Sequence, residues 1–215
     1  MAQYINFLNP SSKDMEDVLD NVPTCPGTCF FIDIVDSSML KYNEGLSQWG
    51  KKINNTFNFI SIINEFPDNI VKGIGDEIMI YISDDDLARK SSINNYFILL
   101  QEIYATIDNL KSFPMKGLFL PCKVSIHYCS DVYNITFLKD TNDYYGIDID
   151  LTARLSSKAR ANTIVLSEVF YQKALNDFLN KYPNKDREVL DHVSEIIKTE
   201  FKGVPHLTDY RIIEV

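Results

Sequence analysis

The segment VKGIGDEIMIY, residues 71–81, has two apolar runs on either side of a Gly-Asp pair. This pattern predicts a β-hairpin, and Gly75 gives the backbone the freedom that the turn requires. Asp76 then lies at the tip of the hairpin, where its carboxylate oxygens suit a hard cation such as Mg²⁺. On its own the segment is more typical of an ordinary turn aspartate, so its interpretation depends on two further segments.

The second segment, residues 28–35, is an almost continuous run of apolar and aromatic residues, which is typical of a strand covered on both faces. Asp33 interrupts this run. Because side chains alternate along a strand, Asp33 shares a face with Phe31 and Val35. An unpaired carboxylate is costly to bury. We therefore expect Asp33 either at an open end of the strand or in contact with a cation.

The third segment, residues 143–155, contains the spacing of a helix. The predicted buried row of this helix consists of Ile147, Leu151 and Leu155. Asp150 and Arg154 are four residues apart on the flank beside that row. From there Arg154 could reach a phosphate or a subunit boundary, and an intrahelical Asp150–Arg154 pair is the alternative.

The remaining patterns predict the order of elements along the chain. After the strand at residues 28–35 we expect a helix from Met39 to about residue 64, weakest around Gly45, then the hairpin at 69–83, a helix at 87–110 and a second hairpin at 118–138. We then expect a helix at 146–159, a short strand at 163–166, a helix capped by Ser167, a charged helix at 181–198 and a final strand at 210–215. Such an order indicates helices packed on a mixed sheet, in an α+β or α/β arrangement. Residues 1–27 are polar and contain Pro and Gly, so we interpret them as a lead-in segment.

The composition limits the classes of function. The 215 residues are enough for one large domain with a substantial core. A net charge of −9 argues against binding nucleic acid, and no apolar run reaches membrane-spanning length. The N-terminus lacks the features of a signal peptide, which predicts a cytoplasmic protein. The four cysteines fit no zinc-binding pattern, and we expect them to be buried free thiols.

Together these segments resemble class III nucleotidyl cyclases, the family of adenylate and guanylate cyclase catalytic domains. The motifs that carry the resemblance are FIDIVDSS at residues 31–38, KGIGDE at 72–77, YGIDIDLTARL at 145–155, and Lys202-Gly203. The resemblance implies an α+β fold with a ferredoxin-like, palm-type mixed β-sheet flanked by helices. It also implies that residues 28–215 form the nucleotidyl cyclase catalytic domain.

The resemblance implies roles for the matching residues. Asp33 and Asp76 match the two metal-binding aspartates, which together hold two Mg²⁺ or Mn²⁺ ions per site. Lys72 matches the lysine that reads the base of the nucleotide. Asp143 matches the acidic partner of that lysine. The substrate implied by this set is a nucleoside triphosphate.

Three further positions complete the implied site. Arg154 matches the arginine that stabilises charge on the transferring phosphoryl group, and Lys202 resembles a late lysine that contacts the triphosphate. The family usually has Asn, which helps orient the ribose, where this chain has Asp150, and Asp has no N–H to donate. In the implied reaction the ribose 3′ oxygen attacks the α-phosphorus and pyrophosphate leaves. The family shares each site between two subunits, so the resemblance implies a head-to-tail homodimer.

Two other classes compete with this interpretation. Gly75-Asp76-Glu77 also resembles the turn motif of diguanylate cyclases. However, Ile78 replaces the Phe of that motif, Ile74 replaces its first Gly, and residues 145–155 have no counterpart there. A catalytically silent cyclase-like domain that only binds a ligand is the other alternative. Silent copies usually lose a metal-binding aspartate, whereas this chain retains both.

The identity of the base is a separate question. A short cyclase without a sensor or membrane anchor resembles the Pycsar enzymes of phage defence, which make cyclic UMP or cyclic CMP. Hydrogen bonding by Lys72 and Asp143 favours ATP or CTP over GTP or UTP. A pyrimidine pocket also needs bulky side chains, for which Tyr42, Phe57 and Tyr144 are candidates. We expect a pyrimidine triphosphate, UTP or CTP, with a soluble adenylate cyclase as the alternative.

Overall fold

A computed structural model describes residues 2–5, 12–63, 66–112, 117–182 and 187–215. These residues form nine strands and seven α-helices. The strands are β1 (Gln3–Tyr4), β2 (Gly27–Ile34), β3 (Ile70–Ile74), β4 (Glu77–Ser83), β5 (Cys122–Cys129), β6 (Ile135–Thr136), β7 (Thr163–Ser167), β8 (Ile197–Thr199) and β9 (Thr208–Glu214). The helices are α1 (Ser12–Leu19), α2 (Ser37–Ile63), α3 (Asp84–Arg89), α4 (Tyr96–Ser112), α5 (Ile147–Leu155), α6 (Glu168–Lys181) and α7 (Glu188–Asp191).

Seven of these strands form one mixed sheet in the order β3-β4-β2-β5-β7-β9-β8. Strands β5 and β7 are parallel, and the other neighbouring pairs are antiparallel. The predicted α+β fold with a mixed sheet flanked by helices is therefore confirmed. Strands β1 and β6 form a separate two-stranded parallel sheet, which ties the N-terminus to the segment after β5.

One face of the seven-stranded sheet carries the main core. Alternation along β2 directs Phe30, Ile32 and Ile34 to this face. They pack there with apolar residues of β4, β5 and β7 and with helices α2, α4 and α6. Phe30 is fully buried and meets the ring of Phe66 edge-on, with ring centroids 5.3 Å apart. Burial of this continuous apolar layer is the main source of stability.

The opposite face has a smaller apolar cluster and then becomes polar. Cys29 and Phe31 of β2 are buried there with Met79 and Tyr81 of β4, and Ile149 of α5 packs on the same cluster. Asp33 follows on this face, two residues after Phe31. We call this side of the sheet the α5 face, because α5 packs on it. On the α5 face the apolar residues of β2 are followed by the charged Asp33.

Several predicted elements are confirmed. Strands β3 and β4 form the predicted hairpin, with Gly75 in the left-handed region at φ 68°. The predicted helix after residue 35 is α2, and its weak point is Gly45, whose φ of 79° and ψ of 169° interrupt the helical conformation. The cysteines are free thiols, of which Cys29, Cys122 and Cys129 are buried.

The second predicted hairpin is wrong. Strand β5 pairs with β2 on one side and β7 on the other, whereas Ile135 and Thr136 pair with β1. The reason is the length of the available partner, because β2 offers eight residues in register with β5 and β6 has only two. Cross-strand contacts on a buried sheet accumulate residue by residue, so the longer ladder is preferred.

Two helix predictions need correction. The predicted helix at 87–110 is two helices, because Ser83 caps α3 and Asn95 Oδ1 accepts a hydrogen bond from the Ile98 N–H at the start of α4. The predicted helix at 181–198 is also absent as a unit. Helix α6 ends at Lys181, residues 183–186 lie outside the described part, and the short α7 precedes β8. Among the described residues, no helix has the length and apolar character required to cross a membrane.

Candidate active site

A row of three charged side chains crosses the sheet on its α5 face. Asp33 of β2 is in register with Glu77 of β4 on one side and with Lys123 of β5 on the other. The Nζ atom of Lys123 lies 3.0 Å from Oδ2 of Asp33. The two side chains are 23% and 22% exposed, so this ion pair is open to solvent on one side only. The sequence-based expectation that Asp33 meets a cation is confirmed, and that cation is Lys123.

Asp76 lies next to Asp33 because of the hairpin geometry. The N–H of Ile34 donates a hydrogen bond to the carbonyl oxygen of Asp76 at 3.2 Å, which joins the end of β2 to the tip of the hairpin. Asp33 and Asp76 line one cleft of about 610 Å³. The other residues lining this cleft are Ile34, Val35, Asp36, Ser37, Ser38, Met39, Tyr42 and Lys123.

Glu77 is a site residue that the sequence reasoning missed. Burial and then the nearby Asp33 raise the pKa of Glu77 to about 7, and the ammonium of Lys123 opposes that shift. Two signals in the sequence were available. Glu77 directly follows Asp76, and Lys123 interrupts the apolar strand β5 as Asp33 interrupts β2. Both residues therefore belong to the charged end of the sheet.

The carboxylates of this cleft fit a magnesium or manganese ion. Within the described ranges, no group of three or more His, Cys, Asp or Glu side chains is arranged to hold a metal. The cleft instead offers Asp33 and Asp76. Mg²⁺ is usually bound by one or two carboxylates, with water and substrate phosphate oxygens as the remaining ligands. The donor set is therefore of the kind that binds this ion together with a phosphorylated substrate.

Lys72 and Asp143 are brought together, although 71 residues separate them in the chain. The Lys72 Nζ atom donates hydrogen bonds of 2.8 Å to both carboxylate oxygens of Asp143. The loop that carries Asp143 is fixed by Asn134, whose side-chain N–H donates to the Asp143 carbonyl oxygen at 2.9 Å. The two residues that the sequence predicts as a base-reading pair thus form one donor–acceptor unit on β3 and the segment before α5.

Tyr144 lies beside this unit. Its backbone N–H donates to Oδ1 of Asp143 at 2.9 Å, and its ring stacks on Tyr81 with centroids 4.1 Å apart. The other two aromatic candidates lie elsewhere. Phe57 packs against the main core on the opposite face of the sheet. Tyr42 lines the cleft that contains Asp33 and Asp76, and 87% of its surface is exposed. Of the three, only Tyr144 is adjacent to the Lys72–Asp143 pair.

Helix α5 is held against the end of β5 at its first turn. A side chain at Gly146 would clash, because a Cβ atom there would lie 2.1 Å from the Asp131 carbonyl oxygen. Asp148 accepts hydrogen bonds from the backbone N–H groups of Ser130 and Asp131, and it lies 3.4 Å from Nε2 of the buried His127. Burial works against the charged form, yet His127 and the two backbone donors lower the pKa of Asp148 to about 2.

The buried row of α5 differs from the prediction. Ile147 is exposed, and the buried residues are Ile149, Thr152 and Leu155. Leu151 is only partly buried, whereas Thr152 can be buried because its hydroxyl donates a hydrogen bond to the Asp148 carbonyl oxygen at 2.7 Å. The correct period of the buried face therefore runs 149, 152 and 155.

Arg154 and the turn with Lys202 lie side by side. A Cβ atom at Gly203 would lie 3.4 Å from Nη2 of Arg154, so the guanidinium rests against this turn. Asp150 is exposed, and no ion pair joins it to Arg154 in the part of the chain that the structure describes. The Asp150–Arg154 alternative is therefore wrong, and Arg154 is available to another partner.

The site residues thus fall into two groups within one chain. Asp33 and Asp76 line the cleft, whose lining residues include neither the Lys72–Asp143 pair nor Arg154 nor Lys202. The cleft has the carboxylates of Asp33 and Asp76, with Asp36 also in its lining, but it lacks the arginine and late lysine that the family resemblance implies for the same site.

No protein-family model matches the sequence, and no curated protein matches it at a significant level. The fold, however, matches solved structures of nucleotidyl cyclase catalytic domains. The adenylyl cyclase CyaB from P. aeruginosa aligns with a TM-score of 0.65 at 18% identity, over 89% of this chain and 95% of that chain. The guanylyl cyclase Cya2 aligns with a TM-score of 0.65 at 20% identity, over 87% and 91%.

A third similar structure is the catalytic core of a rhodopsin-guanylyl cyclase with converted specificity, in complex with ATPαS. It has a TM-score of 0.65 and 16% identity, over 88% of this chain and 95% of that chain. The chain therefore has the fold of class III adenylyl and guanylyl cyclase catalytic domains. At these identities of 16–20% the likeness is one of fold.

Proposed function

We propose that the protein is a metal-dependent nucleotidyl cyclase that converts a nucleoside triphosphate, UTP or CTP, to its 3′,5′-cyclic monophosphate and pyrophosphate. The observation that carries this proposal is the position of Asp33 and Asp76 in one cleft of a cyclase fold. Two carboxylates this close repel each other unless a cation lies between them. Lys123 supplies one positive charge there, and a divalent ion supplies more.

In the proposed reaction the ribose 3′ oxygen forms a bond to the α-phosphorus, and the bond from that phosphorus to the leaving pyrophosphate breaks. Two bound Mg²⁺ or Mn²⁺ ions would lower the pKa of the attacking hydroxyl and neutralise charge on the triphosphate. Asp33 and Asp76 would hold these ions. Arg154 offers guanidinium donors where charge develops on the transferring group, and Lys202 offers an ammonium to the departing phosphates.

The protein forms a head-to-tail homodimer in this proposal, with each site shared by two subunits. The separation of Arg154 and Lys202 from the cleft of the same chain supports sharing. Exposed apolar residues support it too, since such patches mark interaction surfaces. One patch, beside the cleft, consists of Met39, Tyr42 and Leu46, and another, beside α5, consists of Phe137, Leu138, Tyr145 and Ile147. Guanylyl cyclase domains of similar fold from Blastocladiella emersonii have been solved as a non-canonical dimer and as a monomer.

The Lys72–Asp143 pair reads the base in this proposal. Adenine and cytosine each present a ring nitrogen acceptor beside an amino donor, which matches an ammonium and a carboxylate. Guanine and uracil present the reverse order, and a wrong pairing leaves a buried polar group unmet at about 1–3 kcal/mol. The Tyr81–Tyr144 stack adds bulk beside the pair and favours a single-ring base. The pyrimidine preference otherwise rests on the resemblance to Pycsar enzymes, some of which make cyclic UMP.

An adenylate cyclase is the second candidate, because the Lys72–Asp143 pair suits adenine as well as cytosine. The two are separated by competition among equal concentrations of ATP, GTP, CTP and UTP with Mg²⁺ or Mn²⁺, followed by mass spectrometry of the cyclic products. Cyclic CMP or cyclic UMP as the main product supports the proposal. Cyclic AMP as the main product overturns the pyrimidine preference and leaves the cyclase reaction in place.

The cellular role follows from the product. We propose a cytoplasmic enzyme whose cyclic pyrimidine nucleotide is an antiphage second messenger. The free thiols fit a reducing compartment, and the defence role rests on the resemblance to Pycsar enzymes. Protection of a bacterial host against phage by the wild-type protein, and its loss in Asp33→Ala, is the expected result. Equal protection by the two proteins would contradict the signalling role.

A further inference from the structure

The loop that carries Asp143 is held by a side-chain amide from another part of the chain. Asp143 lies between β6 and α5, and its backbone carbonyl oxygen accepts a hydrogen bond of 2.9 Å from the side-chain amide of Asn134. The same amide donates at 3.1 Å to Oδ1 of Asn142, the residue directly before Asp143. One side chain therefore ties two consecutive residues of the loop to the residue that precedes β6.

The N-terminal segment contacts the same two asparagines. The N–H of Ala2 donates to Oδ1 of Asn142 at 3.0 Å, and the N–H of Gln3 donates to the Asn134 carbonyl oxygen at 2.9 Å. These contacts continue the parallel pairing of β1 with β6. The Asn142 oxygen thus accepts one hydrogen bond from the N-terminal backbone and one from Asn134. We call Asn134, Asn142 and the backbone of residues 2–3 the amide clamp.

The loop depends on such hydrogen bonds because apolar packing contributes little to its position. Residues 138–142 are exposed to solvent. A hydrogen bond makes a modest net contribution to stability, and a chain segment that is released regains conformational entropy. Loss of one member of the amide clamp should therefore let the loop, and Asp143 with it, move over several positions.

We infer that Asn134 and Asn142 are positioning residues for the carboxylate of Asp143, and that the N-terminal strand completes the clamp that they form. The inference rests on the proposed function in one respect, because it takes the Lys72–Asp143 pair to contact the base. A good hydrogen bond that lengthens by about 0.6 Å is lost as a hydrogen bond. The amide clamp therefore contributes to discrimination between bases, and it acts through Asp143.

The first experiment needs no nucleotide. Hydrogen exchange with mass spectrometry follows the backbone amides of residues 138–146, with residues 77–83 of β4 as the internal reference. Asn134→Ala removes both amide donors, and we expect exchange in the loop to become about fivefold faster while exchange in β4 stays unchanged. Asn142→Ala should have the same effect, because it removes the oxygen that the two donors share. Asn142→Asp keeps an oxygen acceptor there and should exchange like wild type.

The second experiment measures base preference by calorimetry with Mg²⁺ and the α,β-methylene analogues of CTP and UTP, which cannot release pyrophosphate. Wild type should bind the CTP analogue more tightly, and in Asn134→Ala the ratio of the two affinities should fall about fivefold. A ratio measured within one protein does not depend on the folded fraction, so a merely structural role would leave it unchanged. Asn142→Ala provides the same test if circular dichroism shows that Asn134→Ala does not fold.

The matched control is Asn55→Ala. Asn55 lies on α2, and its side-chain amide also donates to a backbone carbonyl oxygen, that of Leu118. This variant loses the same chemical group at a place that has no contact with the Asp143 loop. It should keep the wild-type affinity ratio and the wild-type exchange of residues 138–146.

The outcomes separate this inference from the proposed reaction, because cyclic product from natural triphosphates is measured independently. Faster loop exchange with a lower affinity ratio in Asn134→Ala supports the inference, and an unchanged ratio overturns it while the cyclase reaction stands. A wild-type ratio at or below one overturns it together with base reading by the Lys72–Asp143 pair. A lower ratio in Asn134→Ala, with no cyclic product from wild type, supports the inference and overturns the cyclase reaction.

Discussion

The two faces of the seven-stranded sheet are built from alternate residues of the same strands, yet they differ in chemistry. On the face under α2, α4 and α6, β2 contributes Phe30, Ile32 and Ile34 to a large apolar layer. On the α5 face, β2 contributes Cys29 and Phe31 and then Asp33. One face therefore holds most of the buried apolar side chains that stabilise the fold. The other face ends in the charged residues that the proposed reaction uses. Each face gives its own predictions.

The largest expected effect is on the α5 face. Replacing either Asp33 or Asp76 with Ala should lower turnover by at least about 1000-fold, because in the proposed function each variant removes a carboxylate that would hold the metal. The free energy of unfolding should change little, since both side chains lie at the open end of the sheet. Steady-state formation of cyclic nucleotide measures the first effect, and urea denaturation measures the second.

The control for these variants is Asp191→Ala. Asp191 is the last residue of α7, and its carboxylate pairs with Arg187, which directly precedes that helix. This variant should retain wild-type turnover. Substantial activity of Asp76→Ala would remove the two-aspartate mechanism and, with it, the functional half of the comparison between the faces.

The next effect is on the core face. Phe30→Ala should lower the free energy of unfolding by about 3–5 kcal/mol, because it leaves a large cavity in a closely packed layer. Phe30 is fully buried and contacts Phe66. Urea denaturation of Phe30→Ala and Asp33→Ala side by side checks the division of roles. A loss below about 1 kcal/mol for Phe30→Ala, or a larger loss for Asp33→Ala, would contradict it.

A third prediction concerns the two groups of site residues on the α5 side. Mixing inactive Asp33→Ala with inactive Arg154→Ala should restore activity to about one quarter of wild type, because half of randomly mixed dimers are hybrids and each hybrid has one intact site. Cyclic nucleotide formation after subunit exchange is the measurement. Exchange is verified by native mass spectrometry, and no recovery after verified exchange would show that sites are not shared.

The smallest expected effect is a pH dependence of the free energy of unfolding, which arises from the row of Glu77, Asp33 and Lys123. Burial and Asp33 raise the pKa of Glu77 to about 7. A carboxyl group whose pKa is raised by folding stabilises the protein below its unfolded pKa, and this contribution is lost as the pH rises through about 7. Wild type should therefore lose about 1–2 kcal/mol between pH 5 and pH 8 relative to Glu77→Gln, allowing for solvent screening.

This pH experiment is carried out by urea denaturation with a chelator present, so that no divalent ion alters the titration. If the difference in free energy of unfolding between the two proteins is the same at pH 5 and pH 8, folding does not raise the pKa of Glu77, and the expected effect is contradicted. A difference of the opposite sign would show that the folded protein favours the ionised form of Glu77.

The sequence predicted the parts of the fold that depend on local pattern. The 71–81 hairpin, the buried strand containing Asp33 and the weak point of α2 at Gly45 all follow from residue type and spacing. The partner of β5 did not, because pairing between β2 and β5 is a contact between segments about 95 residues apart. Alternation in β5 identifies a strand but says nothing about which other strand lies beside it.

The candidate site shows the same division. The resemblance to class III cyclases implied that Lys72 and Asp143 are partners, and the structure places the Lys72 Nζ atom 2.8 Å from the Asp143 carboxylate. Lys123 and Glu77 were missed, because their proximity to Asp33 arises from the register of three strands rather than from a short motif. The buried row of α5 was also mispredicted, because it includes the polar Thr152, whose hydroxyl is satisfied by the Asp148 carbonyl oxygen, and an apolar pattern does not identify such a residue.

The central claim is that Asp33 and Asp76 support the cyclisation of a nucleoside triphosphate, and the most direct measurement is the stoichiometry of the products. Phosphorus-31 NMR of the purified protein with Mg²⁺ or Mn²⁺ and its preferred triphosphate should show one pyrophosphate for each cyclic mononucleotide, and neither product with Asp76→Ala. A cyclic dinucleotide, release of inorganic phosphate in place of pyrophosphate, or equal turnover by Asp76→Ala would contradict the account.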